Sequence, residues 1–67
     1  MSVIIPNSVR VIKSYAFADC KDLNKVILPN SLEIIEDGVF YGCKNLIFKK
    51  IPISVKEIQL GAFAFTK

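Results

Sequence analysis

The sequence contains no histidine and no tryptophan, one methionine, and only two cysteines, three glycines and three prolines in 67 residues. Without histidine there is no imidazole to serve as a general base near neutral pH, to ligate zinc or to activate a thiol. Two cysteines are too few for a disulfide scaffold or a four-ligand metal site. No apolar run reaches the roughly 18 residues of a membrane-spanning helix, so membrane insertion is not expected. The opening Met1-Ser2-Val3-Ile4-Ile5-Pro6 lacks the charged and apolar regions of a secretory leader. It starts almost inside a strand-like run, as expected of a fragment of a longer protein. No glycine-rich phosphate loop and no Ser-His-Asp set is present. These absences leave no catalytic, cofactor-binding or metal-binding candidates, and an enzyme is not expected.

What the chain does have is apolar mass. Hydrophobic residues make up 52% of it, and mean hydropathy is +0.44. A single core of this length buries only about 60% of its unfolded surface. Contacts beyond the chain's own core are therefore expected. Net charge is +3, with a pI near 9.0. Nucleic-acid binding would need that charge gathered on one face with interleaved aromatics, so no nucleic-acid partner is expected.

Sliding the chain along itself by 23 residues exposes an internal repeat. Pro6, Pro29 and Pro52 coincide, as do Ser8, Ser31 and Ser54, then Ile12, Ile35 and Ile58, then Phe17, Phe40 and Phe63. Cys20 meets Cys43, Leu23 meets Leu46, and Lys21, Lys44 and Lys67 form another column. Residues 3–25 and 26–48 are identical at 10 of 23 positions, and 26–44 and 49–67 at 6 of 19. The chain is read as one segment, 1–67, with copies at about 3–25, 26–48 and 49–67.

The middle copy, Leu23 to Cys43, reads L-x-x-V-x-L-P-N-S-L-x-x-I-x-x-x-V-F-x-x-C. This pattern resembles the BspA-like leucine-rich repeats: a leucine, a strand, a proline-serine bend, an isoleucine, then phenylalanine and cysteine. The resemblance covers essentially the whole chain. It implies an α/β, β-rich repeat fold: a solenoid of about three coils with short parallel strands and single helical turns. It also implies a recognition or adhesion module, secreted or at the cell surface, with a protein partner.

Elementary chemistry supports such a coil. Val26-Ile27-Leu28 alternates, placing Val26 and Leu28 inward and Ile27 outward. Pro29 lacks an N–H and ends the strand's ladder. Asn30 and Ser31 can bond nearby backbone through the bend. Leu32 and Ile35 bound a second extended stretch, Asp37-Gly38 opens a turn, and Val39-Phe40 with Cys43 fit one helical turn. Stacking copies then forms charged columns, Arg10-Glu33-Lys56 and Lys13-Glu36-Gln59. Cys20 and Cys43 become neighbours in a small apolar column, where a disulfide would be strained by parallel side-chain vectors. The remaining acids are read as solvated turns and columns.

The functional candidates lie on the outer face of the first strand layer. Its exposed positions are Ser2, Ile4, Lys25, Ile27, Phe48 and Lys50, and Ile4, Lys25, Ile27, Phe48 and Lys50 are the expected partner-binding residues. Apolar side chains rimmed by lysine suit a protein surface. Lys21, Lys44, Lys49, Lys50 and Lys67 add a basic edge, read as solvated. The third copy departs from the pattern: Lys49 stands for the inward valine, Ile53 for asparagine, Leu60 for a polar turn residue, and Phe65-Thr66 for Gly-Cys. Both ends are expected to be open, with unpaired strand edges. The competing reading is a self-assembling unit that stacks end to end.

Overall fold

The computed structural model describes residues 1–66, the side chains of Phe48 and Lys49 excepted. The inward Lys49, the outward Phe48 ring and the Lys67 position of the lysine column lie outside the described residues.

Among the described residues six short strands form: β1 (Ser2–Ile4), β2 (Val11–Ile12), β3 (Lys25–Ile27), β4 (Ile34–Ile35), β5 (Phe48–Lys50) and β6 (Glu57–Ile58). They make two three-stranded sheets, ordered β1-β3-β5 and β2-β4-β6. Every pairing is parallel and joins residues 23 apart, such as Ser2 with Lys25, Lys25 with Phe48, and Ile12 with Ile35. The sequence period is therefore also the strand register. In β3 the alternation holds, with Val26 buried between exposed Lys25 and Ile27, and Leu28 is buried beyond it.

Proline closes each first strand layer with a turn. The carbonyls of Pro6, Pro29 and Pro52 accept the N–H of Val9, Leu32 and Val55 at 3.1, 3.2 and 3.2 Å. The serines two residues on do not bond within their own bend, as the sequence suggested. The Ser31 hydroxyl donates to the Asn7 and Val9 carbonyls, the latter at 3.0 Å, and Ser54 donates to the Leu32 carbonyl at 2.7 Å. Each thus ties its copy to the one before it.

The expected helical turn is corrected. No helix forms among the described residues, so the fold is β and turn, not α/β. Residues 36–43 form a chain of turns closed by Val39 N–H to Glu36, Tyr41 N–H to Gly38 and Cys43 N–H to Phe40 carbonyls, at 3.4, 3.0 and 3.1 Å. Gly38 and Gly42, at φ 69° and 74°, interrupt it with left-handed backbone, which a right-handed helix cannot accommodate. Phe40 and Cys43 are nevertheless both buried, as expected of one face. The turn segments also bond to one another: Phe17 and Asp19 donate to the Val39 and Tyr41 carbonyls at 2.9 and 2.7 Å, and Phe40 and Gly42 to those of Ala62 and Ala64 at 2.8 and 2.9 Å.

Between these three bands lies the core: Leu23, Val26, Leu32, Ile35, Val39, Phe40, Cys43 and Leu46 of the central region are fully buried. Through it runs a ladder of rings. Phe17 and Phe40 stack with centroids 5.6 Å apart, and Phe40 and Phe63 at 5.3 Å.

Candidate binding surface

The register of β1-β3-β5 aligns the candidate residues in two rows. Ile4, Ile27 and Lys50 are strand partners, as are Ser2, Lys25 and Phe48. Adjacent rungs lie about 4.8 Å apart, so Ile4 and Ile27 stand side by side along the first row. Ile4 is 71% exposed and Ile27 40%, with Lys25 and Lys50 exposed beside them. An apolar side chain held that far into water by a paired backbone is available to another surface. Lys25, Ile27 and Lys50 also line a shallow depression of about 260 Å³ with Leu28, Asn30 and Pro52. Sequence reasoning missed those last three. Alternation sends Leu28 inward, and nothing local reveals that the proline bends wall the sheet.

A larger depression, about 500 Å³, lies on the turn side among Tyr15, Gly38, Tyr41, Leu60, Gly61 and Ala64. The sequence reading treated this region only as turn. Its signal was available in two tyrosines and a leucine at turn positions, and Tyr15 and Leu60 are indeed 58% and 93% exposed. Tyr15 lies directly over Gly38, where a Cβ would stand 2.3 Å from its ring. Tyr41 packs edge-on against Phe65 at 5.3 Å.

The thiols are packing groups in this arrangement. Both are free, Cys43 buried and Cys20 half-buried, and the Cys43 thiol donates to the Phe17 carbonyl at 3.0 Å. Burial pushes the Cys43 thiol above its ordinary range, with the Cys20 and Asp19 charges adding to the rise and a backbone hydrogen bond from Cys20 opposing it. A thiol kept protonated is a poor nucleophile. Thr66, the third residue of this column, turns its hydroxyl to the Phe63 carbonyl at 2.9 Å.

The charged columns are more structural than a solvated face. Glu36 accepts the Ser14 N–H at 2.9 Å, and Gln59 accepts the Asp37 N–H at 3.0 Å through its side-chain oxygen. Lys13 and Glu36 form an ion pair at 4.0 Å, with the lysine 81% exposed. Such a pair contributes little. No ion pair joins Arg10, Glu33 and Lys56. Instead their backbones pair, Glu33 N–H to the Arg10 carbonyl and Lys56 N–H to that of Glu33, both at 2.8 Å. Among the described residues no three His, Cys, Asp or Glu side chains gather as a metal would require, and no helix is long and apolar enough to cross a membrane.

The family model described as BspA type leucine rich repeat region (6 copies) matches residues 1–67. No curated protein and no solved structure matches the chain significantly.

Proposed function

We propose that this chain, which belongs to the BspA-type leucine-rich repeat family, is a recognition or adhesion module that binds a protein partner across the face of β1-β3-β5. Repeats of this family point to protein–protein interaction and are generally non-enzymatic. In this reading the copies at 3–25, 26–48 and 49–67 are successive coils of one solenoid, and their first strands supply the binding rows. The observation that carries it is the row Ile4-Ile27-Lys50, where two exposed isoleucines lie in register beside the Lys25 and Lys50 amines. An apolar centre with a basic rim fits a partner surface that is apolar at its middle and acidic at its edge. Phe48, aligned with Lys25 by backbone register, extends the second row.

Selection from a randomised peptide display library on the immobilised chain tests this reading. Enriched peptides should combine acidic and apolar residues. They should lose binding to the Ile4→Ser/Ile27→Ser variant and keep it for Leu60→Ser, which alters the turn-side depression instead. Peptides that bind the sheet-face variant as well as the unaltered chain would remove the assignment.

A further inference from the structure

The turn-side depression gathers two tyrosines and a carboxylate that the sheet-face reading does not use. It lies on the flank of the stack, not on either end of it. Tyr15 comes from the first copy, Asp37, Gly38 and Tyr41 from the middle one, and Gln59 and Gly61 from the third. Tyr15 and Tyr41 are 58% and 39% exposed, and Asp37 is exposed beside them. Each group is held by a neighbouring copy. The Tyr15 ring occupies the space over Gly38 and the Asp37 carboxylate the space over Gly61, so a Cβ at either glycine would overlap it. The Tyr15 N–H donates to the Asp37 carbonyl at 3.2 Å, and the Asp37 N–H to Gln59 Oε1 at 3.0 Å. Tyr41 packs edge-on against Phe65 with ring centroids 5.3 Å apart, and its N–H donates to the Gly38 carbonyl at 3.0 Å. Rings and carboxylate are thus in place before a ligand arrives, which lowers the ordering cost of binding.

Tyr15 stands out within its own column. Positions 38 and 61 hold glycine, which takes left-handed backbone freely, whereas Tyr15 adopts it at φ 61°. A bulky side chain is strained there, and such strain collects at ligand sites. Charge points the same way. The chain carries +3, yet among the described lining residues Asp37 is the one Asp, Glu, Lys or Arg. A cation is the complement of electron-rich ring faces beside a carboxylate. Hydrogen bonding then selects among cations. The Gln59 amide is engaged, accepting from the Asp37 N–H and donating to Glu57 at 3.2 Å. A guanidinium or a primary ammonium brings several N–H donors, and each one left unmet costs the hydration it gave up. A quaternary ammonium brings none, and its charge is spread over methyl groups that suit ring faces.

We infer that the depression of about 500 Å³ among Tyr15, Asp37 and Tyr41 binds a quaternary ammonium group of the kind choline carries. The methyl groups rest against the Tyr15 and Tyr41 rings, and the Asp37 carboxylate balances the charge. The volume exceeds that of a trimethylammonium head alone, which leaves room for the chain that bears it. Affinity for the free group is weak, with a Kd in the region of about 1 mM, because cation–ring contacts at exposed sites contribute little each. Added salt weakens binding, since it screens Asp37. The site is separate from the β1-β3-β5 face and stands whether or not that face binds a protein.

NMR titration of the isotopically labelled chain with choline chloride, at fixed ionic strength, tests the proposal. The amide signals of Gly38 and Gly61 should shift and saturate, while those of Ile4 and Ile27 on the sheet face stay still. The neutral isostere of choline, with carbon in place of nitrogen, should bind at least about fivefold more weakly. Asp37→Asn and Tyr15→Asn should each weaken choline binding by a similar factor. Asparagine suits left-handed backbone, so the second variant removes the ring and spares the turn. Once choline binds, phosphatidylcholine vesicles distinguish the source of the group. Loss of the same signals assigns it to a lipid headgroup, and an unchanged spectrum assigns it to a soluble ligand. The absence of a saturable shift at Gly38 and Gly61 overturns the proposal, as does equal affinity for the isostere. If a variant fails to fold, the isostere comparison on the unaltered chain still decides.

Discussion

Phe40 and Phe63 occupy the same place in successive copies and stack on each other, yet Phe40 is fully buried and Phe63 only half-buried. Ile58 differs from Ile35 in the same way, at 47% against 0% exposure with the same side chain and strand position, while Ile12 in the first copy stays buried at 5%. Cys43 is buried where Cys20 is half-buried, and Leu32 where Val9 and Val55 are half-buried. Residue chemistry barely changes along these columns. What changes is the number of neighbours: the middle copy has one on each side, and each outer copy has one. Burial in this molecule is therefore supplied by stacking as much as by sequence, as nearest-neighbour coupling in a repeat array requires.

The contrast has an energetic consequence, largest at the phenylalanines. Phe40→Ala should cost about 3–5 kcal/mol, since it removes a ring packed on both faces and leaves a cavity. For a chain this short that is most or all of the folding free energy, and the variant should be largely unfolded without denaturant. Phe63→Ala removes a ring with one open face and should cost about 1–2 kcal/mol. Urea titrations followed by far-UV circular dichroism, at dilutions where the chain is monomeric, measure both. Equal losses would break the comparison, because they would mean the outer copy is as strongly coupled as the middle one.

Register was the most legible part of the fold. Proline, serine, isoleucine and phenylalanine recurring at 23 residues state which strands pair and which side chains stack, and the pairings follow that spacing. The turn conformation was not legible. A Val-Phe-x-x-Cys spacing puts phenylalanine and cysteine on one side of a helical turn or of consecutive β-turns alike. The decision rests on left-handed backbone at Gly38 and Gly42, and in the first copy those places are held by Tyr15 and Asp19 at φ 61° and 59°. Tyr15 does not announce a positive φ by type, and aspartate does so only weakly. Part of the reason for glycine also lies 23 residues away, since the Tyr15 ring fills the space a Gly38 side chain would need. For the candidate surface, alternation placed Ile4, Lys25 and Ile27 outward correctly, but the depression's Leu28, Asn30 and Pro52 belong to the bend beyond the strand.

The serine column sharpens the comparison at a smaller scale. Ser31 donates to carbonyls of the preceding copy, and Ser8 has no such partner among the described residues. Ser31→Ala should cost about 1 kcal/mol, the usual net value of a hydrogen bond plus part of the cost of stripping a half-buried carbonyl of its donor. Ser8→Ala should change stability by less than about 0.5 kcal/mol, as for an ordinary surface site. Chemical-denaturation midpoints of the two variants provide the test. A loss at Ser8 matching that at Ser31 would mean that the hydroxyl acts inside its own bend and does not tie copies together.

The smallest expected effect is a pH dependence from the buried middle-copy thiol. Cys43 is buried against the Phe17 carbonyl, and its thiol is held above the ordinary value of about 8.5. In the unfolded chain the same thiol ionises in its ordinary range, so on raising pH the unfolded state loses that proton first. Stability then falls with rising pH, because the unfolded state binds fewer protons than the folded one. The contribution is fully present below the unfolded pKa and is lost as pH climbs toward the raised folded value. Denaturation midpoints measured between about pH 7 and pH 10 should fall more steeply in the unaltered chain than in Cys43→Ala. The variant serves as its own baseline for lysine and tyrosine titration, which both proteins share. If the two slopes coincide, the thiol reaches water in the folded chain, and the middle copy is less tightly closed than its packing implies.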